Sequence, residues 1–188
     1  MLRSLAPIFA MAFVASVPAL ASEPIAVPHF DSVDLRGGGD VTVVPGPVER
    51  VTILEGSSQF THIYVEHGRD LKIDVCNRDC PREYRLRVEI ESPRVPALAV
   101  DGGGRISVAP GFTPASNLVV AVNGGGQIDT RPVDAQAVTA AVNGGGQLLV
   151  RARSALTGAV RGGGLVRYWG NPAVTSAIDG GGAIQRAD

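Results

Sequence analysis

Six Gly-Gly-Gly triplets dominate this chain of 188 residues. Five of them start at Gly102, Gly124, Gly144, Gly162 and Gly180, which are 22, 20, 18 and 18 residues apart, and an earlier one starts at Gly37. Each of the five lies between two short alternating apolar runs, as in ALAVDGGGRISV and VVAVNGGGQIDT. Such self-similarity is typical of solenoids, whose repeats bury their apolar faces against one another. The repeats predict an all-β fold, namely a right-handed parallel β-helix-like solenoid of glycine-cornered rungs.

We interpret the triplets as structural corners, because glycine adopts positive φ and has no Cβ where corners stack closely. The residues concerned are Gly37, Gly38, Gly39, Gly102, Gly103, Gly104, Gly124, Gly125, Gly126, Gly144, Gly145, Gly146, Gly162, Gly163, Gly164, Gly180, Gly181 and Gly182. The functional alternatives are an anion nest and a calcium corner. However, the triplets lack the Lys-Ser/Thr step of a phosphate loop and the nine-residue period of calcium-binding repeats.

The segment before the repeats, residues 29–92, contains alternating apolar runs of a different texture. It predicts a β-meander and hairpin that cap the solenoid, with Pro93–Pro96 as the seam between the two halves. We expect a single domain over residues 22–188, with N-terminal strands and a cysteine hairpin over 29–92 and solenoid repeats over 97–188. One continuous core should run through both halves.

Cys76 and Cys80 are the two cysteines of the chain. Alternating residues precede and follow them, which predicts two strands joined by a short turn, with a disulfide across the end of the hairpin. The alternative is a metal site in which His62 and His67 join the cysteines, but no second cysteine pair supports it. We expect neither a metal ion nor a cofactor.

The first 21 residues resemble an export signal, with Arg3 before an apolar run and the small-x-small pattern Ala19-Leu20-Ala21. Cleavage is expected between Ala21 and Ser22, and no later run is long enough for a membrane span. The mature protein is therefore expected to be soluble in the periplasm or outside the cell. With 17 basic and 18 acidic residues, the chain has no excess of positive charge for a nucleic-acid or anionic-membrane partner.

Several motifs together resemble the bacterial head GIN domain family, whose members are described as autotransporter adhesins. These motifs are VDLRGGGDVTV, RLRVEIESP running into ALAVDGGGRISV, and the repeated VNGGG units, so the resemblance covers residues 29–188. It implies a β-solenoid-like fold in the cell envelope with no established catalytic residues.

Three function classes follow. The resemblance favours a non-catalytic, adhesin-like module that binds an envelope glycan or protein. The predicted outward positions form a flat row of small side chains as a candidate face: Thr139, Ala141, Thr157, Ala159, Thr175 and Ala177. A polysaccharide lyase or hydrolase is the alternative, and it would use Asp129 with Arg131, Arg151, Arg153 or Arg167. The third class is a structural or ice-contacting solenoid built on the threonines. No residue is predicted to be catalytic.

Overall fold

The computed structural model of the chain describes residues 22–76 and 79–188, so the predicted signal segment lies outside the described residues. The described residues form 16 β-strands and no helix, which confirms the all-β prediction. The strands are β1 (Glu23–Ile25), β2 (Ser32–Gly37), β3 (Asp40–Pro45), β4 (Arg50–Glu55), β5 (Thr61–Glu66), β6 (Asp70–Val75), β7 (Arg87–Ser92), β8 (Ala97–Gly102), β9 (Arg105–Val108), β10 (Ala115–Gly124), β11 (Gln127–Asp129), β12 (Ala135–Gly144), β13 (Gln147–Arg161), β14 (Leu165–Trp169), β15 (Ala173–Asp179) and β16 (Ala183–Arg186). The same residues include no helix that is long and apolar enough to cross a membrane.

Hydrogen bonds join the 16 strands into one network that contains two ladders. In spatial order, the ladder that we call sheet 1 consists of β5, β6, β2, β8, β10, β12, the second half of β13, and β15. Sheet 2 consists of β1, β4, β7, β3, β9, β11, the first half of β13, β14 and β16. Each glycine triplet connects a strand of sheet 1 to a strand of sheet 2. We call such a pair of strands with its corner a rung.

Successive rungs are parallel and in register. Gly102 lies beside Gly37, Gly124 beside Gly102, and Gly144 beside Gly124. Because side chains alternate along a strand, this register places equivalent apolar residues in columns between the two sheets. The column Val100, Val122, Val142 and Val160 is at most 1% exposed. A single core cluster extends from Phe30 to Val166, across the Pro93–Pro96 seam.

Steric constraints explain the first and third glycines of each triplet. Gly124, a first glycine, has a φ of +115°, and a Cβ there would lie 2.7 Å from the carbonyl oxygen of Gly102. A Cβ on Gly126, a third glycine, would lie 2.5 Å from Cγ1 of Val100. Gly125 differs, because its φ lies outside the left-handed region and a Cβ would have no neighbour within 4 Å. The other five middle glycines have the same free space, and nothing in the structure explains their identity.

The predicted cysteine hairpin is wrong. β6 pairs with β5 and β2 in sheet 1, whereas β7 pairs with β3 and β4 in sheet 2. The segment between β6 and β7 therefore crosses from one sheet to the other, as the glycine corners do. Cys76 and Cys80 form a disulfide within this crossing, with Cα atoms 5.7 Å apart. The antiparallel partner of β6 is β5, and the two strands meet at His67 and Gly68, both of which have positive φ.

The two ends of the stack differ. At the N-terminal end, β5 closes sheet 1 and β4 adds to sheet 2, and both strands run antiparallel to their neighbours. At the C-terminal end, the last rung consists of β15 and β16, and every residue of β15 is exposed. The repeat predicts that Ser176 and Ile178 face the core, as their register partners Gly158 and Val160 do. Ile178 is nevertheless 48% exposed, because no further strand among the described residues covers it.

Candidate binding face

The six residues of the candidate face lie together on the outer surface of sheet 1. Thr139, Thr157 and Thr175 stand side by side on β12, β13 and β15. A second row stands two residues further along the same strands, and it consists of Ala141, Ala159 and Ala177. All six side chains are exposed. We call this surface the Thr/Ala face.

The Thr/Ala face is longer than the sequence predicted. Val119 continues the threonine row on β10 and is 49% exposed. Ala121 and Ala99 continue the alanine row on β10 and β8. The spacing to the glycine triplet could have identified these residues, since each lies as far before its corner as its neighbours in the row. The face therefore runs along five strands with no side chain longer than that of valine in either row.

A row of polar side chains borders the face beside the corners. Asn123 donates a hydrogen bond from Nδ2 to Oδ1 of Asp101, at 2.6 Å, and Asn143 donates from Nδ2 to Oδ1 of Asn123, at 3.2 Å. Arg161 and Asp179 continue this row in register. Hydrogen bonds between rungs hold the side chains along the border, so the edge of the face is ordered as well as its centre.

Charged residues end the face toward the N-terminus. The buried Asp34 lies 3.0 Å from Nε of Arg36 and 2.9 Å from Nζ of Lys72. Arg36 also approaches Asp74 of β6 at 3.8 Å. Hydrogen bonding to Asp34, with the charges of both carboxylates, raises the pKa of Arg36 against the effect of burial. The smooth part of the outer surface of sheet 1 is therefore limited to the rungs from β8 to β15.

Three residues of the enzyme alternative lie on strands of sheet 2, namely Asp129, Arg151 and Arg167. Arg131 lies in the turn that follows β11, and Arg153 lies two residues beyond the part of β13 that pairs in sheet 2. Arg151 lies beside Trp169 in register, and the guanidinium of Arg131 lies 5.4 Å from the centroid of the Trp169 ring. Arg153 donates a hydrogen bond from Nη2 to Oδ2 of Asp134 at 2.5 Å, at the edge of an open cavity of about 470 Å³. Arg167 lies on β14, two residues before Trp169.

The carboxylate of Asp129 is fully engaged by Arg131. Nε and Nη2 of Arg131 donate to its two oxygens at 2.9 Å and 2.6 Å, and the Arg131 amide donates to Oδ1 at 3.1 Å. Burial acts to raise the pKa of Asp129, but these hydrogen bonds and the charge of Arg131 outweigh it, so the pKa is lowered. The hydrogen bond from Arg153 likewise lowers the pKa of Asp134. Both groups are therefore deprotonated at neutral pH and unsuited to act as general acids.

The residues of the alternative metal site are not brought together. The two cysteine sulfurs bond to each other. His62 stacks on Tyr64 with ring centroids 4.5 Å apart, and His67 lies in the turn beside Glu66 and Asp70. Across residues 22–76 and 79–188, no group of three or more His, Cys, Asp or Glu side chains could hold a metal ion.

The backbone N–H groups of the glycine corners donate hydrogen bonds to the neighbouring corner. Gly125 and Gln127 donate their backbone N–H groups to the carbonyl oxygens of Gly102 and Gly104 in the preceding rung, both at 3.0 Å. Gly145 and Gln147 repeat these bonds to Gly124 and Gly126. An anion nest needs amides that point together at a ligand, and these amides instead hold one corner to the next.

Comparison with known families identifies the repeats. Residues 112–172 match the family described as "Putative auto-transporter adhesin, head GIN domain". The resemblance to the head GIN domain family is thereby confirmed over this part of the chain. The matched residues include three of the six triplets and most of the Thr/Ala face.

One solved structure shares the fold, and two others are reported with it. A putative adhesin from Bacteroides fragilis is 17% identical, with a TM-score of 0.59 over 91% of this chain and 98% of that chain. A putative lipid binding protein from Parabacteroides distasonis is 16% identical, with a TM-score of 0.38 over 89% and 96%. A putative adhesin from Parabacteroides merdae is 15% identical, with a TM-score of 0.38 over 91% and 97%. The likeness to the first of these concerns the fold alone. A search of curated proteins found no match.

Proposed function

We propose that this chain is an exported cell-envelope module that binds a glycan or protein surface through the Thr/Ala face and catalyses no reaction. The observation that carries the proposal is the exposure of two aligned rows of short side chains along adjacent strands. Alanine has no rotamers to lose and threonine has few, so contact with a partner costs little side-chain entropy. Four of the five strands that carry the face, namely β8, β10, β12 and β13, are paired on both sides, which keeps this part of the surface rigid and reduces the cost of binding further.

The proposed architecture is a right-handed parallel β-helix-like solenoid, and residues 22–188 form a single domain. The parallel registers between equivalent rungs support the winding. The shared core cluster supports the single domain, because it includes residues from both sides of the Pro93–Pro96 seam. In a solenoid of this kind each rung adds an equal strip to the outer surface, so contact area grows with the number of rungs.

The proposed compartment is the periplasm or the cell exterior, reached after cleavage between Ala21 and Ser22. The Cys76–Cys80 disulfide supports this, because such bonds persist in oxidising compartments. When the chain is expressed with its own N-terminus in a bacterium, the exported protein should begin at Ser22. N-terminal sequencing or intact mass checks this, and an uncleaved chain in the cytoplasm would contradict it.

The non-catalytic part of the proposal rests on the state of the carboxylates near the arginines. Asp129 and Asp134 each form an ion pair with an arginine, at 2.6 Å and 2.5 Å. Glycoside hydrolysis needs one carboxyl group that carries a proton at working pH, and the lowered pKa values of these two work against that role.

The test is the double variant Ala141→Arg with Ala159→Arg. Two adjacent arginines would project from the centre of the face into any partner, while folding should be unaffected because both positions are exposed. Gln127→Arg with Gln147→Arg is the matched control, since these residues are also neighbours on adjacent strands but lie on sheet 2. Binding is measured on an array of bacterial surface glycans and on immobilised envelope proteins.

We expect the face variant to lose at least about tenfold in affinity, which corresponds to ~1.4 kcal/mol, and the control to bind as the parent does. Equal binding by the face variant and the parent would show that the face is misassigned. Release of reducing ends from an acidic polysaccharide, abolished by Arg151→Ala, would instead favour the enzyme alternative.

A further inference from the structure

The C-terminal rung leaves an apolar strand edge open. On β13, Leu156 and Val160 face the core and are each 1% exposed. Their register partners on β15 are Val174 and Ile178, which are 41% and 48% exposed. The same type of side chain at the same position in the rung is thus buried in one strand and open in the next. The difference is that, among the strands of the described residues, β15 has a neighbour on one side only.

The edge of β15 also lacks the features that usually block strand addition. Exposed edges are commonly protected by proline, by lysine, by an inward-pointing charge or by a bulge. β15 reads AVTSAID, with its one charge, Asp179, at the end next to the corner, and it pairs with β13 without a register shift. A solenoid normally needs an end cap, and within the described residues such a cap is present only at the N-terminal end.

The sequence of β15 is complementary to itself in the antiparallel direction. If two copies pair with Ser176 opposite Ser176 of the second copy, Val174 lies opposite Ile178, and Thr175 lies opposite Ala177. Directly opposed residues lie on the same side of a sheet, so the two exposed apolar side chains meet on the core side. The strands β15 and β16 together carry one acidic residue, Asp179, and one basic residue, Arg186, so two terminal rungs have no net charge to oppose their approach.

We propose that the chain forms a two-fold symmetric dimer in which β15 of each copy adds antiparallel to β15 of the other. The partner is a second copy because a two-fold contact needs one patch that complements itself, and β15 meets that condition. Antiparallel addition is also how this fold closes its N-terminal end. The dimer buries Val174 and Ile178 and continues the Thr/Ala face from one copy into the next, since Thr175 and Ala177 of the two copies become neighbours.

Two variants test the dimer. Ile178→Lys places a charge on the core side of the edge, where the proposed dimer has no room for it, while a single copy tolerates it because the site is 48% exposed. Thr157→Lys is the control, with the same charge on an exposed outward position of the next strand. Mass is measured by light scattering and sedimentation over a concentration series, and circular dichroism and melting temperature establish that both variants fold.

Ser176→Cys adds a positional test, since the described cysteines are both in the disulfide. Two Ser176→Cys chains should link through a new disulfide under mild oxidation, and Thr157→Cys chains should not. We expect a parent dimer, a monomeric Ile178→Lys variant and a cross-link for Ser176→Cys alone.

Three results would each overturn the proposal. The first is a monomeric parent at all concentrations, which would leave the edge to a strand of a different protein. The second is a dimer that Ile178→Lys leaves intact. The third is a dimer in which Thr157→Cys links as readily as Ser176→Cys, because the contact would then lie elsewhere on the chain.

Discussion

The glycine corners allow a prediction in which the middle residue of a triplet responds to substitution by alanine differently from the two glycines that flank it. In Gly124→Ala the new Cβ would lie 2.7 Å from the Gly102 carbonyl oxygen, at a φ of +115°. In Gly126→Ala it would lie 2.5 Å from Cγ1 of Val100 and 2.7 Å from the carbonyl oxygen of Gly104. Because a backbone carbonyl oxygen is among the neighbours at both positions, rotating a side chain alone cannot relieve the contacts.

The size of each effect follows from these contacts. A residue forced into a sparsely populated backbone region costs about 1–3 kcal/mol, and overpacking against fixed neighbours costs about as much. In Gly125→Ala the Cβ meets nothing within 4 Å. Replacing glycine by alanine at a compatible position stabilises by about 0.4–1 kcal/mol, because the unfolded chain has fewer conformations. We therefore expect Gly124→Ala and Gly126→Ala to unfold about 1–3 kcal/mol more easily than the parent, and Gly125→Ala to be at least as stable.

The assay is equilibrium unfolding in urea, followed by circular dichroism, with the midpoint and slope reported for each variant. The next corner supplies an internal repeat of the experiment, since Gly144, Gly145 and Gly146 have the same three environments. If Gly125→Ala lost as much stability as Gly126→Ala, the steric account of the corners would be refuted. A loss at the middle position would instead require a restriction on its backbone that free space around the Cβ does not reveal.

Two further predictions concern the disulfide and the response to acid. Alkylation without reductant should leave Cys76 and Cys80 unmodified, and two free thiols in the exported protein would contradict the bond. Reduction should lower the free energy of unfolding in urea by about 2 kcal/mol, because the unfolded chain regains the entropy that loop closure removes. The folded state lowers the pKa of Asp129, so this carboxylate stabilises the fold above its unfolded pKa, and that stabilisation is lost as the pH falls through its folded pKa. Asp129→Asn should therefore flatten the acid side of the curve of unfolding free energy against pH, and Asp188→Asn, at an exposed position, is the control. An unchanged curve for Asp129→Asn would show that the ion pair with Arg131 does not stabilise the fold.

Much of the fold could be predicted because the repeat fixes both the corner and the face that each residue occupies. Alternation before each triplet predicts that the apolar residue two positions before the first glycine faces the core, and at four corners this residue is a valine that is at most 1% exposed: Val100, Val122, Val142 and Val160. The same alternation identified the outward positions of the Thr/Ala face. These results depend only on the two-residue period of a strand, which the sequence carries directly.

The neighbours of each strand were harder to predict. Alternation around Cys76 and Cys80 correctly predicted strands, but a strand pattern does not specify its partner, and adjacency in sequence suggested a hairpin. β6 and β7 instead belong to different sheets, with β2 and β3 beside them. β6 and β7 therefore form a further rung beside the rung of β2 and β3, although no glycine triplet connects its two strands.

The open C-terminal rung shows the same limit in another form. The sequence of β15 follows the repeat, so it predicts that Ile178 is buried in the way Val160 is. Burial depends on what covers the strand, and a residue pattern describes the strand itself without its neighbours. The exposure of Ile178 at a position that the repeat places in the core is thus informative. It marks the edge where a further strand would bury this side chain, and the described residues contain no such strand.

The proposed binding face and the proposed dimer both involve β15, but experiments can separate them. Many weak contacts along a flat surface gain strength with the number of rungs that engage together, and a two-fold dimer doubles that number. Ile178→Lys should then weaken binding to a dense, immobilised partner while leaving the affinity for a short soluble fragment unchanged. Ala141→Arg with Ala159→Arg should weaken both. The face can therefore be correct while the dimer is absent, and the dimer can form on β15 even if the face has another partner.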